Sequence, residues 1–297
     1  MSIEISGKTR LIALFGDPVS HSKSPAMQNA SFSALGLDYV YLAFRVSAGC
    51  AEEAVRSART LGMPGFNVTM PLKQEVMGCL DGLDLSAELC GAVNTVVNKE
   101  GFLTGYNTDA AGAVYAVRKM GVDIPAAKAV ILGLGGAGKA VFAGLASAGC
   151  RSFTLAIRDP EKAGEPGSRA YEHAAFAEKM GSRFAGLCCR IIDINDPGAV
   201  GPAVREADLL INATNLGMGK NEGISPVKDS SCFHSGLNVM DAVYDPAETE
   251  FLRSARAAGV KDAVNGLDML LGQGIEAFRL FTGEEMPPDT ARQALGL

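Results

Sequence analysis

The sequence predicts an α/β protein of two domains, each built on a largely parallel sheet. Three observations predict it. Short apolar runs alternate with stretches of helical period almost throughout, the pattern of strands connected by helices on both faces of a sheet. A glycine-rich turn, Gly133-Leu-Gly135-Gly-Ala-Gly138, falls between one such run and a helical stretch, as a dinucleotide-binding unit requires. The length, 297 residues, gives each of two domains a substantial core.

Taken in order, residues 11–15 read as a strand, 25–35 as a helix, 39–46 as a strand and 51–61 as a helix. Ser24-Pro25 reads as a cap and a start, because a proline early in a helix lacks only an N–H that the helix does not use. A strand follows at 65–69, and a helix begins beyond Pro71. Residues 94–98 and 102–107, two β-rich runs around Glu100-Gly101, suggest a hairpin. The stretch 108–120 is helical and leaves the first domain, with Asp109 as a good capping residue and Thr108 as its competitor.

The second unit opens after Pro125, where strand 129–132 runs into the glycine turn. Gly133 permits the turn, Gly135 lets backbone approach a pyrophosphate, and Gly138 allows helix and strand to pack closely. The following helix, through about residue 148, directs its N-terminal amides at that pyrophosphate. Strands at 151–157, 188–194, 207–213 and 237–244 continue the alternation. Residues 164–169 and 220–231 read as loops, and 267–281 as a long helix with an apolar face.

Composition excludes several classes. The net charge is −6 and no lysine/arginine run occurs, which argues against nucleic acid. No apolar run reaches the roughly 18 residues of a membrane span, and the first ten residues lack the apolar core of a signal peptide. A cytoplasmic protein without a membrane partner is expected. Seven cysteines without a CxxC pair read as reduced core thiols, Cys188-Cys189 among them in an apparently buried strand. With only three scattered histidines, no metal site is expected.

Four short islands carry the chemistry: residues 16–29 (GDPVSHSKSPAMQN), 65–73 (GFNVTMPLK), 91–97 (GAVNTVV) and 105–112 (GYNTDAAG). The first sets the hydroxyls of Ser22 and Ser24 at a strand-to-helix turn. Each hydroxyl can donate and accept, which suits a small polyhydroxylated ligand. In this order and spacing, and with the glutamine-bearing helix near Gln273, the islands resemble the shikimate dehydrogenase family, including its quinate/shikimate dehydrogenase branch. The resemblance runs the length of the chain.

The resemblance implies a substrate domain over residues 1–112, completed by C-terminal helices at about 265–297, and a Rossmann domain over 113–264. It implies reversible NAD(P)-dependent oxidation of the ring 3-hydroxyl of shikimate, quinate or both, in aromatic amino-acid biosynthesis or quinate use. Lys73 and Asp109 would be the catalytic pair. Ser22 and Ser24 would bind the substrate carboxylate, and Asn67, Thr69, Asn94 and Gln273 the ring hydroxyls, with Tyr244 also approaching the substrate. Gly133, Gly135, Gly136, Ala137 and Gly138 would hold the cofactor, joined by Asn212, Ala213, Thr214, Met218 and Gly266. A homodimer is the candidate assembly.

The chemistry of the pair is sound in principle. Oxidising a secondary alcohol sends a hydride to the nicotinamide while the hydroxyl proton leaves. A positioned base that takes the proton contributes about 10²–10⁴-fold. Lysine, with an unperturbed pKa of about 10.4, needs desolvation to act as a base near neutral pH. A neighbouring carboxylate favours the ammonium form instead, which stabilises a developing alkoxide. Base, alkoxide stabiliser or both stay open at this level.

Cofactor choice depends on the end of strand 151–157. Asp159 falls 21 residues beyond Gly138, near the spacing of a ribose-binding carboxylate. NADP-type members carry Asn-Arg-Thr there, whereas this chain has Ile157-Arg158-Asp159. NAD is therefore expected to be favoured, with NADP as the alternative. Gln28 in place of a frequent histidine, Asn215 in place of a proline and Gly272 beside Gln273 leave shikimate against quinate open. Two other readings compete. A catalytically silent dinucleotide- or cyclitol-binding relative is disfavoured by the retained Lys73 and Asp109. A reductase of tRNA-charged glutamate is disfavoured by the acidic charge and the lack of a catalytic-cysteine motif.

Overall fold

The computed structural model describes residues 5–297. The chain divides into two compact units, one running up to Gly112 and resumed at Leu270–Leu297, the other Ala113–Met269.

In the first unit, β1 (Arg10–Gly16) pairs in parallel with β2 (Tyr39–Arg45) and with β3 (Gly65–Val68). Strand β5 (Thr95–Lys99) then runs antiparallel to β3, and β6 (Phe102–Tyr106) antiparallel to β5. The hairpin turns through Glu100 and Gly101, both with positive φ, the conformation of a tight two-residue turn. A two-residue strand, β4 (Gly82–Leu83), completes the order β2-β1-β3-β5-β6-β4. The reversal at β5 has a consequence for function. The C-terminal ends of β1, β3 and β6 and the start of β5 meet at one end of the sheet.

Helices α1 (Ser24–Leu35), α2 (Ala51–Thr60) and α3 (Leu85–Cys90) cover this sheet. Phe15, Phe66, Val68, Leu72, Val96 and Leu103 form one apolar core, in which the Phe15 and Phe66 rings lie 5.1 Å apart. Phe32 of α1 stacks on Phe278 of the returning helix α9 (Leu267–Thr282). The last helix, α10 (Pro288–Leu295), also belongs to this unit.

The second unit is entered along α4 (Asp109–Lys119). It holds six parallel strands: β7 (Lys128–Leu132), β8 (Ser152–Ile157), β9 (Cys188–Asp193), β10 (Leu209–Asn212), β11 (Asn238–Asp241) and β12 (Asp262–Val264). Their order is β12-β11-β10-β7-β8-β9. The order reverses between β7 and β10, and in open parallel sheets a ligand crevice forms beyond the carboxyl ends at such a switch. Helices α5 (Gly136–Ser147), α6 (Arg169–Arg183), α7 (Pro197–Arg205) and α8 (Glu250–Ala257) pack around it. The central strands are buried on both faces, as Ile131, Leu132, Leu210, Ile211 and Val239 show.

Several local expectations are corrected. Ser24 is not a helix cap: it is the first residue of α1, after Lys23, which has helical dihedrals and makes no side-chain cap bond. The Ser22 hydroxyl instead accepts the Ser24 N–H at 3.3 Å. Beyond Pro71 the chain makes turns and a 3₁₀ segment, Glu75–Cys79, in place of an α-helix, because Leu80 is already extended toward β4. Thr108, not Asp109, precedes α4, its carbonyl accepting the Gly112 N–H, so the Asp109 carboxylate is not spent on capping. Cys188-Cys189 are not core thiols. Strand β9 is an edge with one neighbour, Cys188 is exposed, and burial followed by Cys188 pushes the Cys189 thiol up to about 12. Cys50 is also exposed, and none of the seven cysteines is in a disulfide. Among the described residues, no helix is long and apolar enough to cross a membrane, and no group of three metal-ligating side chains forms.

Candidate functional site

The end of the first sheet gathers a polar cluster. Lys73 lies in the turn after β3, whose backbone is pinned where the Lys73 carbonyl accepts the Val93 N–H at 2.8 Å. Its Nζ donates to Asp109 Oδ2 at 2.5 Å, and Asn94 Nδ2 donates to Asp109 Oδ1 at 2.8 Å. Both side chains of the ion pair keep some contact with solvent, 26% exposed for Lys73 and 16% for Asp109. Asn94 cannot turn over. Its Oδ1 accepts from the Thr108 N–H at 2.8 Å and from the hydroxyls of Thr95 and Thr108. One Nδ2 hydrogen of Asn94 is thereby left for a ligand.

Asn67 is held just as firmly. It donates to the Asn94 carbonyl and to Thr95 Oγ1, and accepts from the Tyr41 hydroxyl at 2.8 Å. Both its amide hydrogens are committed, so it has only an oxygen lone pair to offer. Tyr41 is fully buried, and burial pushes its phenol well above the usual range despite a hydrogen bond with the Ser24 side chain. A continuous chain of contacts therefore links Ser24, Tyr41, Asn67, Thr95, Asn94, Asp109 and Lys73. Thr69 stands at the end of β3, its N–H on the Phe15 carbonyl, and its methyl fills the space that a side chain at Gly16 would take.

Ser22 is partly exposed at the turn before α1. Gln273 donates back to the Leu270 carbonyl of its own helix. Gln28, buried, donates to the Gly274 carbonyl at 3.2 Å and leaves its Oε1 without a partner. Sequence reasoning missed Tyr41, Thr95 and Thr108. Tyr41 stands in a run that reads as a strand, but its polar partner Asn67 lies 26 residues further along the chain.

In the second unit, β7 runs into the glycine turn. Gly133 has φ +86, and a side chain at Gly138 would meet the Gly133 carbonyl oxygen at 2.1 Å. At Gly135 and Gly136 nothing lies within 4 Å of a would-be Cβ. Open backbone thus faces solvent at the N-terminus of α5, with Ala137 in its first turn, which is the form a diphosphate cradle takes. Gly133 packs against Thr214, and Gly138 faces Ala213, so the loop after β10 lies on the fingerprint.

Asn212 shapes that loop. Its Nδ2 donates to the Leu216 carbonyl and to Asp241 Oδ1, and its Oδ1 accepts the N–H and hydroxyl of Thr214. Its side chain is therefore saturated within the protein. Met218 stands exposed, and Gly266 lies where a side chain would strike the Ala242 carbonyl. Burial, then Asp245, raises the Tyr244 phenol. Arg158 and Asp159 are exposed after β8, with Asp159 at φ +52 and its Oδ2 3.9 Å from Lys162 Nζ. Burial, then Lys139, with Arg169 and Arg158, lowers His173 against the opposing Glu172.

A family profile described as the shikimate dehydrogenase substrate binding domain matches residues 14–96, and one described as the shikimate 5'-dehydrogenase C-terminal domain matches 266–295. A shikimate dehydrogenase (NADP(+)) of Alkaliphilus metalliredigens is 43% identical over 97% of this chain and 96% of its own. The structure of shikimate 5-dehydrogenase from Listeria monocytogenes, in complex with shikimate and NAD, superposes with a TM-score of 0.90 at 37% identity, covering 99% and 98% of the two chains. A quinate dehydrogenase from Corynebacterium glutamicum in complex with NAD does so at 0.84 and 31%, covering 97% and 99%.

Proposed function

The chain belongs to the shikimate dehydrogenase family, and on that footing we propose that it catalyses the reversible, NAD(P)-dependent oxidoreduction of the ring 3-hydroxyl of shikimate, with quinate as a second substrate. The first unit is the substrate domain and the second the dinucleotide domain. The observation that carries this reading is the Lys73–Asp109 ion pair, fastened by Asn94 inside a hydroxyl- and amide-rich cluster.

An ammonium has three donors, and Asp109 takes one, so two remain for substrate oxygens. Lys73 Nζ stabilises the alkoxide that develops at the ring oxygen, and the Nζ–Oδ2 pair takes up the hydroxyl proton. Ser22 and Ser24 hold the carboxylate. The free Nδ2 hydrogen of Asn94, the Oδ1 of Asn67, the Thr69 hydroxyl and Gln273 sort the ring hydroxyls, and Tyr244 approaches the substrate.

The residues of the second unit fit a dinucleotide, because the close-packed Gly133 and Gly138 leave open amides at Gly135 and Gly136. Residues 133–138 would hold the diphosphate, the 212–218 loop and Gly266 the nicotinamide side, and Arg158 and Asp159 the adenosine ribose. When bound in its oxidised form, the cofactor supplies the hydride acceptor. NAD is the preferred form in this proposal, since Asp159 can accept from both ribose hydroxyls and repels a 2'-phosphate, while Arg158 offsets part of that repulsion.

Initial rates with shikimate and quinate, each with NAD and NADP, test the reading. Substrate-dependent dinucleotide reduction, fastest for shikimate with NAD, is expected. Binding of both ligands without reduction in any of the four combinations would leave a silent ligand-binding relative instead.

A further inference from the structure

Asp241, the last residue of β11, is fully buried, and three neutral groups donate to its carboxylate. Oδ1 accepts from Asn212 Nδ2 at 2.9 Å and from the Val243 N–H at 3.0 Å. Oδ2 accepts from the Thr249 hydroxyl at 2.6 Å. Burial raises its pKa while these three hydrogen bonds oppose the rise. A buried carboxylate is costlier than an apolar residue of the same size, so its retention calls for a reason in what it holds.

Each donor connects the carboxylate to the 212–218 loop, which lies on the glycine turn, or to the segment carrying Tyr244. Asn212 opens the 212–218 loop and gives it its shape: it binds Thr214 twice and the Leu216 carbonyl once, and the Thr214 hydroxyl in turn accepts the Leu216 N–H. Val243 precedes Tyr244, and its carbonyl accepts the Gly266 N–H at 3.1 Å. Thr249 caps α8 through the Leu252 N–H, and its side chain packs on Gly217 in the same loop, where a Cβ would lie 3.0 Å from Thr249 Cγ2. One carboxylate thus gathers both sides of the loop and the approach to Tyr244. An asparagine amide with all its hydrogens used keeps its orientation only while its acceptors stay in place.

We propose that Asp241 is a positioning residue that holds the 212–218 loop and Tyr244 in place on the nicotinamide side of the dinucleotide site. The proposal rests on the dehydrogenase reading above for its effect on turnover, but not for its effect on the loop. The fingerprint glycines hold the diphosphate independently of Asp241. Losing Asp241 therefore disturbs orientation more than affinity.

The test uses the whole chain with Asp241→Asn, which keeps the size and one acceptor, and Thr249→Val, which removes the Oδ2 donor together with the side-chain cap of α8. In the dinucleotide-free protein, amide hydrogen exchange of Asp241→Asn should accelerate about tenfold or more in peptides spanning 212–218 and 243–249, and stay at the parent rate in 136–147. Dinucleotide Kd, read by calorimetry, should stay within about threefold, while kcat with shikimate falls at least about thirtyfold. Thr249→Val should move the same peptides by less. Exchange at the parent rate in the loop, uniform acceleration across the second unit, or a loosened loop with the parent kcat would each overturn the proposal. Should Asp241→Asn fail to fold, Thr249→Val decides, with a loop-limited rise as support and a uniform or absent one as refutation. A parent protein inactive on shikimate would sink the dehydrogenase reading alone, since exchange and Kd still report on Asp241.

Discussion

Lys73 and Asp109, 36 residues apart in sequence, meet through a single 2.5 Å contact from Nζ to Oδ2. One stands in the turn after β3 and the other on the first turn of α4. Asn94 holds the second carboxylate oxygen, and Thr95 and Thr108 hold Asn94. The orientation of the pair is set by the fold before any substrate arrives, and such preorganisation is what makes a charge effective in a transition state.

Both serines should act on substrate binding, and Ser24 on stability as well. Neither makes a side-chain bond as the N-cap of α1. Ser22→Ala loses only a long bond to the Ser24 N–H and should melt near the parent, whereas Ser24→Ala removes the hydroxyl bonded to buried Tyr41 and should melt lower. A lost hydrogen bond to a carboxylate costs about 1–3 kcal/mol, which raises the shikimate KM about five- to 150-fold. Loss of stability with unchanged kinetics would return the serines to a purely structural role.

Tyr41→Phe removes one hydroxyl from the centre of the hydrogen-bonded chain. The buried Asn67 Oδ1 then loses its donor, at a cost of about 1–3 kcal/mol. Thermal unfolding should register that loss, and the shikimate KM should rise while the dinucleotide KM holds. A dinucleotide KM that moves as much as the shikimate KM would contradict the placement of Tyr41 in the substrate network.

How far the sequence reveals this site depends on the distance over which each contact acts. The glycine turn was legible because strand, turn and helix are contiguous and each glycine has its own steric reason. The alternation of strands and helices was legible from period alone. Ser24 was misjudged because a Ser-Pro start looks the same whether the serine caps the helix or enters it, and Lys23 decides by adopting helical dihedrals. Cys188-Cys189 were misjudged because apolar residues in an edge strand read like those in a central one. Asp241 and Tyr41 were not singled out because the partners that give them their place, Asn212 and Asn67, lie 29 and 26 residues away.

Two glycines in the turn should respond in opposite ways to the same substitution. Gly135→Ala points a methyl into open space and should fold like the parent while weakening dinucleotide binding. Gly138→Ala drives a methyl onto the Gly133 carbonyl and should destabilise the protein by about 1–3 kcal/mol. Calorimetric Kd beside thermal unfolding separates them. A destabilised Gly135→Ala with intact binding would show that the open amides are not the cradle.

The proposed preference for NAD rests on one exposed carboxylate, Asp159. Asp159→Ala should weaken use of NAD and relatively improve use of NADP. A unit-charge contact at about 4 Å in water is worth about 1 kcal/mol, so the kcat/KM ratio should shift about fivefold. An unchanged ratio, or a parent that prefers NADP, would show that Asp159 does not face the ribose.

The most direct measurement is the initial rate of shikimate-dependent dinucleotide reduction by the parent and by Lys73→Ala, taken beside dinucleotide Kd for both. The account predicts activity in the parent, turnover lower by about 10²–10⁴-fold in the variant, and the same Kd. Turnover within about threefold of the parent, or a loss of dinucleotide affinity as large as the loss of rate, would contradict it.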